Sequence, residues 1–222
     1  MRSCRVPYEE RTLAQSAYGD IRAMIVDGDL PPGTKLIVRL LSERLGLSAT
    51  PIKSALAALE RDGFLIAIPH RGFHVPLIGP ADMREIYELR ELLDGIAARK
   101  VAVSPDPAGF VRTVLDPLLT KQRERGDDGD LASLRDLDVE FHRAVWRASG
   151  NERLTQVTDN LSGQIRLAWS GRPSGGVPRT LREHEAIMDA IAAGDPARAE
   201  RVSRAHVRHS AAAYEKAVSR RR

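Results

Sequence analysis

Apolar positions in the first third of the chain recur at helical spacing in three short blocks. Leu13, Ala17, Ile21, Met24 and Ile25 step by three and four residues, which predicts an amphipathic helix ending near Gly28. DGDLPPGTKL then reads as a turn, with Pro31, Pro32 and Gly33 as its breakers. Leu40, Leu41 and Leu45 mark a second short helix stopped at Gly46. Ile52, Ala55, Leu56 and Leu59 form the buried stripe of a third, with Pro51 in its first turn, where a missing N–H costs nothing, and Gly63 closing it. The runs FLIAI and FHVPL, joined by PHRG, read as two short strands in a tight hairpin or wing. This order predicts a winged helix-turn-helix over residues 9–77.

The pattern changes after PLIGPAD, whose two prolines and glycine stop regular structure and whose Asp82 can cap a following helix. Helical periodicity then covers residues near 82–103, 106–125, 130–149, 151–170, 178–193 and 195–219, broken at SPDP, GDDGD, SGN, SGRPSGGVP and GD. A second, all-helical domain of about six helices is predicted over residues 82–220. The fold class is therefore mostly α: a winged helix-turn-helix followed by an all-α bundle.

Composition narrows the function classes. Hydrophobic residues make up 42% against 29% charged, which excludes collagen, fibrous coiled coil and pure disorder. The formal charge of +4 is too small to identify a partner unless it is clustered. A single cysteine, Cys4, allows no internal disulfide and no cysteine-based zinc knuckle, and no segment is apolar for the roughly 18 residues that a membrane span needs. These features predict a cytoplasmic protein without membrane association. The arginine-rich tail ending SRRR reads as a solvated terminus.

A helix in the major groove reads base edges and phosphates from its exposed N-terminal end, while a wing reaches the neighbouring backbone. Ser48, Thr50 and Lys53 lie at that end of the third helix, Arg39 precedes them, and His70, Arg71 and His74 occupy the wing. Winged helices also serve as protein-interaction modules, so pattern alone leaves both readings open.

In the helical half, the informative residues are polar ones on apolar faces. Leu134, Phe141, Val145 and Ser149 define an inward stripe, and Asp138 and His142 point into its middle. Leu181, Ile187, Met188 and Ile191 bracket His184, and Val202 and Ala213 bracket His206, with His209 on a neighbouring flank. A buried carboxylate needs a partner, and a divalent cation held by three imidazoles and one carboxylate would supply it. Zinc fits such a set first, with nickel, manganese or iron as alternatives. Local hydrogen-bonded pairs remain the competing reading. Arg90 and Asp94 sit at the centre of another inward face, defined by Met83, Ile86, Ala97 and Val101, as an ion pair or as a clamp for an effector carboxylate.

LSATPIKSALAALERDGFL followed by IPHRGFHV resembles the GntR family of bacterial transcription regulators, in its Ser-x-Thr-Pro start, Leu-x-x-Leu spacing, Asp-Gly-Phe-Leu exit and Arg-Gly wing. The resemblance implies Arg39, Ser48, Thr50, Lys53 and Arg71 as contacts to a double-stranded DNA operator. The sequence departs from the family where Ala49 and Lys53 replace arginines. Lysine keeps a phosphate contact but loses the fork that grips guanine, which implies a different operator.

LDVEFHRAVWRASGNERL, EHEAIMDAI and ARAERVSRAHV are similar to the FCD ligand-sensing domain of the FadR subfamily, nearer its VanR-like branch if there are six helices. That resemblance implies a divalent metal on Asp138, His142, His184 and His206, a small carboxylic acid effector, and a homodimer. A repressor released by its effector is the default the family implies. The alternatives are a metal-dependent hydrolase, against which no further inward base is evident, and a metal-responsive protein-interaction module.

Overall fold

The computed structural model describes residues 12–168 and 176–219. Cys4, the end of the SRRR tail and most of the SGRPSGGVP break lie outside the described residues. The chain divides into two compact units at the Ile78–Gly79 step.

The first unit contains α1 (Leu13–Val26), β1 (Lys35–Leu36), α2 (Val38–Leu45), α3 (Ala49–Arg61), β2 (Ile66–Ile68) and β3 (Gly72–His74). Thr12 starts α1 with a capping box: its hydroxyl accepts from the Gln15 N–H while the Gln15 side chain accepts from the Thr12 N–H. Gly46 ends α2 in the left-handed region at φ 66°, where an L side chain would be strained. The core is built from Ala17, Ile21, Ile25, Leu41, Ile52, Leu56, Leu59, Phe64 and Leu65. Each of its large side chains contributes about 1.5–3 kcal/mol when fully buried.

Two details differ from the sequence pattern. Lys35 and Leu36, expected inside a turn, form a short strand: β3 lies between β1 and β2, both antiparallel to it, with Lys35 opposite His74 and Ile66 opposite the same residue on the other edge. Leu13 and Leu40, expected on buried stripes, are 62% and 48% exposed. Leu13 is the first residue of α1, and the eight-residue α2 buries only Leu41.

The second unit is helical throughout its described residues: α4 (Pro80–Ala102), α5 (Pro107–Phe110), a wide turn (Val111–Leu115), α6 (Asp116–Asp127), α7 (Leu131–Ala148), α8 (Glu152–Ala168), α9 (Val177–Ala192) and α10 (Pro196–Ser219). The polar breaks carry the caps. Asp82 accepts from the Gly79 N–H, Asp106 from Gly109, Asp130 from Ser133, Asn151 from Leu154 and Asp195 from Arg198. Between α5 and α6 the backbone widens to a π-turn, in which the Asp116 N–H bonds to Val111 O; the following Pro117 has no N–H to continue the α-helical ladder.

Phe141, Trp146, Leu115, Ile187 and Ile191 occupy the centre of the bundle, against Ala97, Ala98 and Val101 of α4. Gly95 permits the close approach of α4 and α10, since a Cβ there would lie 2.6 Å from Cγ of Arg204. Arg204 and Arg208 of α10 both donate to Glu91 of α4. The bundle thereby fixes the faces of α4, α6, α7, α9 and α10 that carry Arg90, Asp94, Gln122, His142, His184 and His206.

Candidate metal centre

His142 of α7, His184 of α9 and His206 of α10 meet inside the bundle, with one ring nitrogen of each within 4.8 Å of the others. All three are buried, at 6%, 0% and 4% exposure. Nε2 of His142 and Nε2 of His206 stand 3.2 Å apart. Two nitrogens bound at about 2.0–2.1 Å to one tetrahedral ion lie about 3.3–3.4 Å apart, so this spacing fits a shared cation. Nε2 of His184 is buried with no hydrogen-bond partner. An orphaned ring nitrogen at a site with two other imidazoles is what a metal ligand leaves when its ion is taken away.

The opposite ring nitrogens are tied into the bundle. Nδ1 of His206 lies 2.9 Å from Oε2 of Glu183, and Nδ1 of His184 lies 2.8 Å from Oε1 of Gln122. Nδ1 of His142 faces Oδ2 of Asp94 at 3.6 Å, an electrostatic contact longer than a hydrogen bond. Such partners behind the rings orient the imidazoles and leave their Nε2 atoms to converge. Phe141 stacks on His184 with ring centres 4.0 Å apart, and Trp146 stacks on His142 at 6.0 Å.

Burial, reinforced by His206, holds His142 and His184 well below the ordinary histidine value; Arg90 adds to the effect on His142. Both rings are therefore neutral at physiological pH, as ligands must be. Burial alone would raise the Glu183 carboxyl, but hydrogen bonds from His206, Arg179 and His209 outweigh it and hold it at about 2. Glu183 stays anionic behind His206.

Asp138, expected at the middle of the inward stripe of α7, lies one turn before His142, where Leu137 and Val139 are also only half-buried, and its side chain is 38% exposed. It stands outside the histidine group, although its Oδ1 is 3.5 Å from Nε2 of His184. Loss of water raises its carboxyl above the ordinary aspartate value, with His206 and Arg90 opposing and Asp94 adding to the rise.

Arg90 is buried and gives Nε and Nη2 to the two oxygens of Asp94 at 3.1 and 2.7 Å. Its guanidinium lies over the Trp146 ring, 4.7 Å from the centroid, and Trp146 Nε1 donates to Asp94 Oδ1 at 2.8 Å. Asp94 thus joins the arginine, the tryptophan and His142. Gln122, Glu183 and Asp94's contact with His142 are parts of the site that pattern reading missed. Gln122 sits in the polar run KQRERGDDGD, where nothing distinguishes it from its neighbours, and Glu183 looks like any surface acid beside Arg182.

In the first unit, Ser48 is the N-cap of α3 but its hydroxyl makes no bond to the helix, and Thr50 and Lys53 are exposed on the first turns. The open N–H groups of that turn carry the partial positive charge of a helix start. Arg39 is 75% exposed and paired with Glu43 at 2.8 Å, a surface contact worth at most about 1 kcal/mol and readily exchanged for a phosphate. Arg71 is exposed at the wing tip beside His70, whose φ of 62° is left-handed.

Comparison with known proteins agrees with both halves. Residues 13–75 match the bacterial regulatory proteins of the gntR family, and residues 85–209 match the FCD domain. The chain is 30% identical over 201 residues to the "Probable D-xylose utilization operon transcriptional repressor" of Paenarthrobacter nicotinovorans, covering 89% of this chain and 87% of that one. It is 28% identical over 202 residues to an HTH-type transcriptional regulator in an unstable DNA locus of Streptomyces ambofaciens, covering 89% and 83%. Among solved structures, E. coli McbR/YncC shares the fold with a TM-score of 0.75 at 22% identity, over 93% of this chain and 99% of that one. The matching families and relatives are transcription regulators, not enzymes, and among the described residues no helix is long and apolar enough to cross a membrane. A winged helix joined to a helical ligand-binding domain, in a chain so related, places the protein in the GntR family of transcription regulators, with an FCD domain as its second half.

Proposed function

We propose that the chain is a homodimeric repressor whose FCD domain holds one divalent cation on His142, His184 and His206 and uses it to bind a small carboxylic acid. The observation that carries this reading is the convergence of three buried imidazoles, one with an orphaned Nε2. Asp138, beside His184, is the fourth donor of the set. Three neutral nitrogens and a carboxylate suit zinc, or nickel, manganese or iron, and leave room in the coordination sphere for a ligand oxygen. When bound, the ion supplies a Lewis-acidic positive charge for the acid's carboxylate.

The chain's own residues do the rest. Arg90 offers the second cation for an anionic effector, and Asp94 is its resident partner, with which the effector competes. Trp146 and Phe141 close the apolar wall around the histidines. At the other end of the chain, Ser48, Thr50, Lys53, Arg39 and Arg71 contact the operator, and two winged helices in a dimer read two half-sites. An acid changes operator affinity only by binding one arrangement of the dimer better than the other.

The test is operator binding to the DNA upstream of the chain's own coding region, measured with the zinc-loaded and the chelator-treated protein across a panel of small carboxylic acids. The reading predicts that at least one acid releases DNA from the loaded protein and has no effect on the stripped one. Release that is indifferent to metal contradicts it. A metal-responsive protein-interaction module would bind no DNA in either state.

A further inference from the structure

Gln122 of α6 has 0% exposure, in a run of exposed charged residues, and both ends of its amide are used. Nε2 donates to the backbone carbonyl of Leu137 in α7 at 2.9 Å, and Oε1 meets Nδ1 of His184 in α9 at 2.8 Å. The orientation of that amide is forced. A backbone carbonyl can only accept, so the amide NH2 must face Leu137. Turning the amide over would set two acceptor oxygens 2.9 Å apart in a buried site.

With the amide oxygen facing the ring, Nδ1 of His184 must donate, since otherwise two acceptors would oppose each other at 2.8 Å. A neutral imidazole carries one proton, so Nε2 keeps its lone pair. The competing arrangement, with the proton on Nε2 and directed at Oδ1 of Asp138 at 3.5 Å, offers a longer contact to a half-exposed group and leaves Gln122 unsatisfied.

We propose that Gln122 is a positioning residue: held by the Leu137 carbonyl, it fixes the proton of His184 on Nδ1 and so presents a bare Nε2 to His142 and His206 before any ion arrives. Site formation is then already complete at His184 in the metal-free protein, and binding requires no proton to leave that ring. The consequence for metal affinity rests on the reading of the three histidines as a metal site; the proton position does not.

The test uses the full chain, stripped with a chelator and 15N-labelled at histidine, with imidazole nitrogens recorded by long-range 15N–1H correlation at mildly alkaline pH. The expected spectrum of the natural protein shows His184 protonated at Nδ1 and unprotonated at Nε2. Gln122→Met, which keeps the length of the side chain but neither donor nor acceptor, is expected to lose that preference and to raise the zinc Kd about 10–100-fold in a chelator competition. A proton on Nε2 in the natural metal-free protein overturns the proposal without recourse to any variant. An unchanged proton position and unchanged zinc Kd in Gln122→Met overturn it as well. A shifted proton in the variant, with no zinc bound by either protein, supports the positioning role and overturns the metal reading instead.

Discussion

His184 concentrates the physics of the ligand-binding half. Its ring is wholly buried, stacked on Phe141, bonded on one nitrogen and unpartnered on the other. A protein interior does not ordinarily tolerate an unpaired polar atom, because each costs about 1–3 kcal/mol, so the bare nitrogen points to a partner that is not a protein group. His142 and His206 have Asp94 and Glu183 behind their Nδ1 atoms and meet each other through Nε2 at 3.2 Å. Lys53→Ala is expected to weaken operator binding by about 1–2 kcal/mol and to flatten its salt dependence, since a lost phosphate contact releases fewer counterions. Titrating labelled operator at several salt concentrations checks this, and an unchanged slope removes Lys53 from the interface.

Secondary elements show which parts of the molecule were legible in the amino-acid order. Long periodic segments were: the stripe Ile52, Ala55, Leu56, Leu59 of α3 is fully buried, and the polar breaks between bundle helices contain the capping residues that start the next helix. Short elements were not. Two residues cannot display a strand's alternation, so β1 exists only because β3 offers a second edge, a pairing distant in sequence. The three histidines were visible as polar residues on apolar faces. Gln122 and Glu183 were invisible, because a buried amide or a partly buried carboxylate in a charged segment is revealed only by what it faces in space. The partial exposure of Asp138 was not legible either, since spacing gives a helical face but not how far along the helix that face stays covered. At this scale Gly46→Ala is expected to destabilise the winged helix by about 1 kcal/mol, from left-handed backbone strain alone, because nothing lies within 4 Å of the added methyl. Thermal unfolding of the variant measures the loss, and an unchanged midpoint argues against the strained cap.

For the whole molecule, the buried histidines make stability depend on pH. His142 and His184 are held below the ordinary value of 6.5 in the folded chain, so below that pH the unfolded chain takes up protons that the folded one refuses. The metal-free protein is expected to keep its full stability above pH 6.5 and to lose it progressively as the pH falls below, which denaturant titrations across that range measure. Stability that rises on acidification contradicts the neutral, buried rings. A metal bound as proposed would hold both rings deprotonated in the folded state, so the loaded protein is expected to resist the same acidification further. Metal, effector acid and operator are in this account three ligands of one folded molecule, coupled only through the arrangements each prefers.

The most direct measurement is the zinc stoichiometry of the chelator-stripped protein after dialysis against the free ion, for the natural chain and for His142→Ala, His184→Ala and His206→Ala. One zinc per chain is expected in the natural protein. Each variant should lose more than about 100-fold in affinity, beyond what loss of a supporting group alone causes, while still binding operator DNA. Full zinc occupancy in any of the three variants, or none in the natural chain, contradicts a metal centre shared by these histidines.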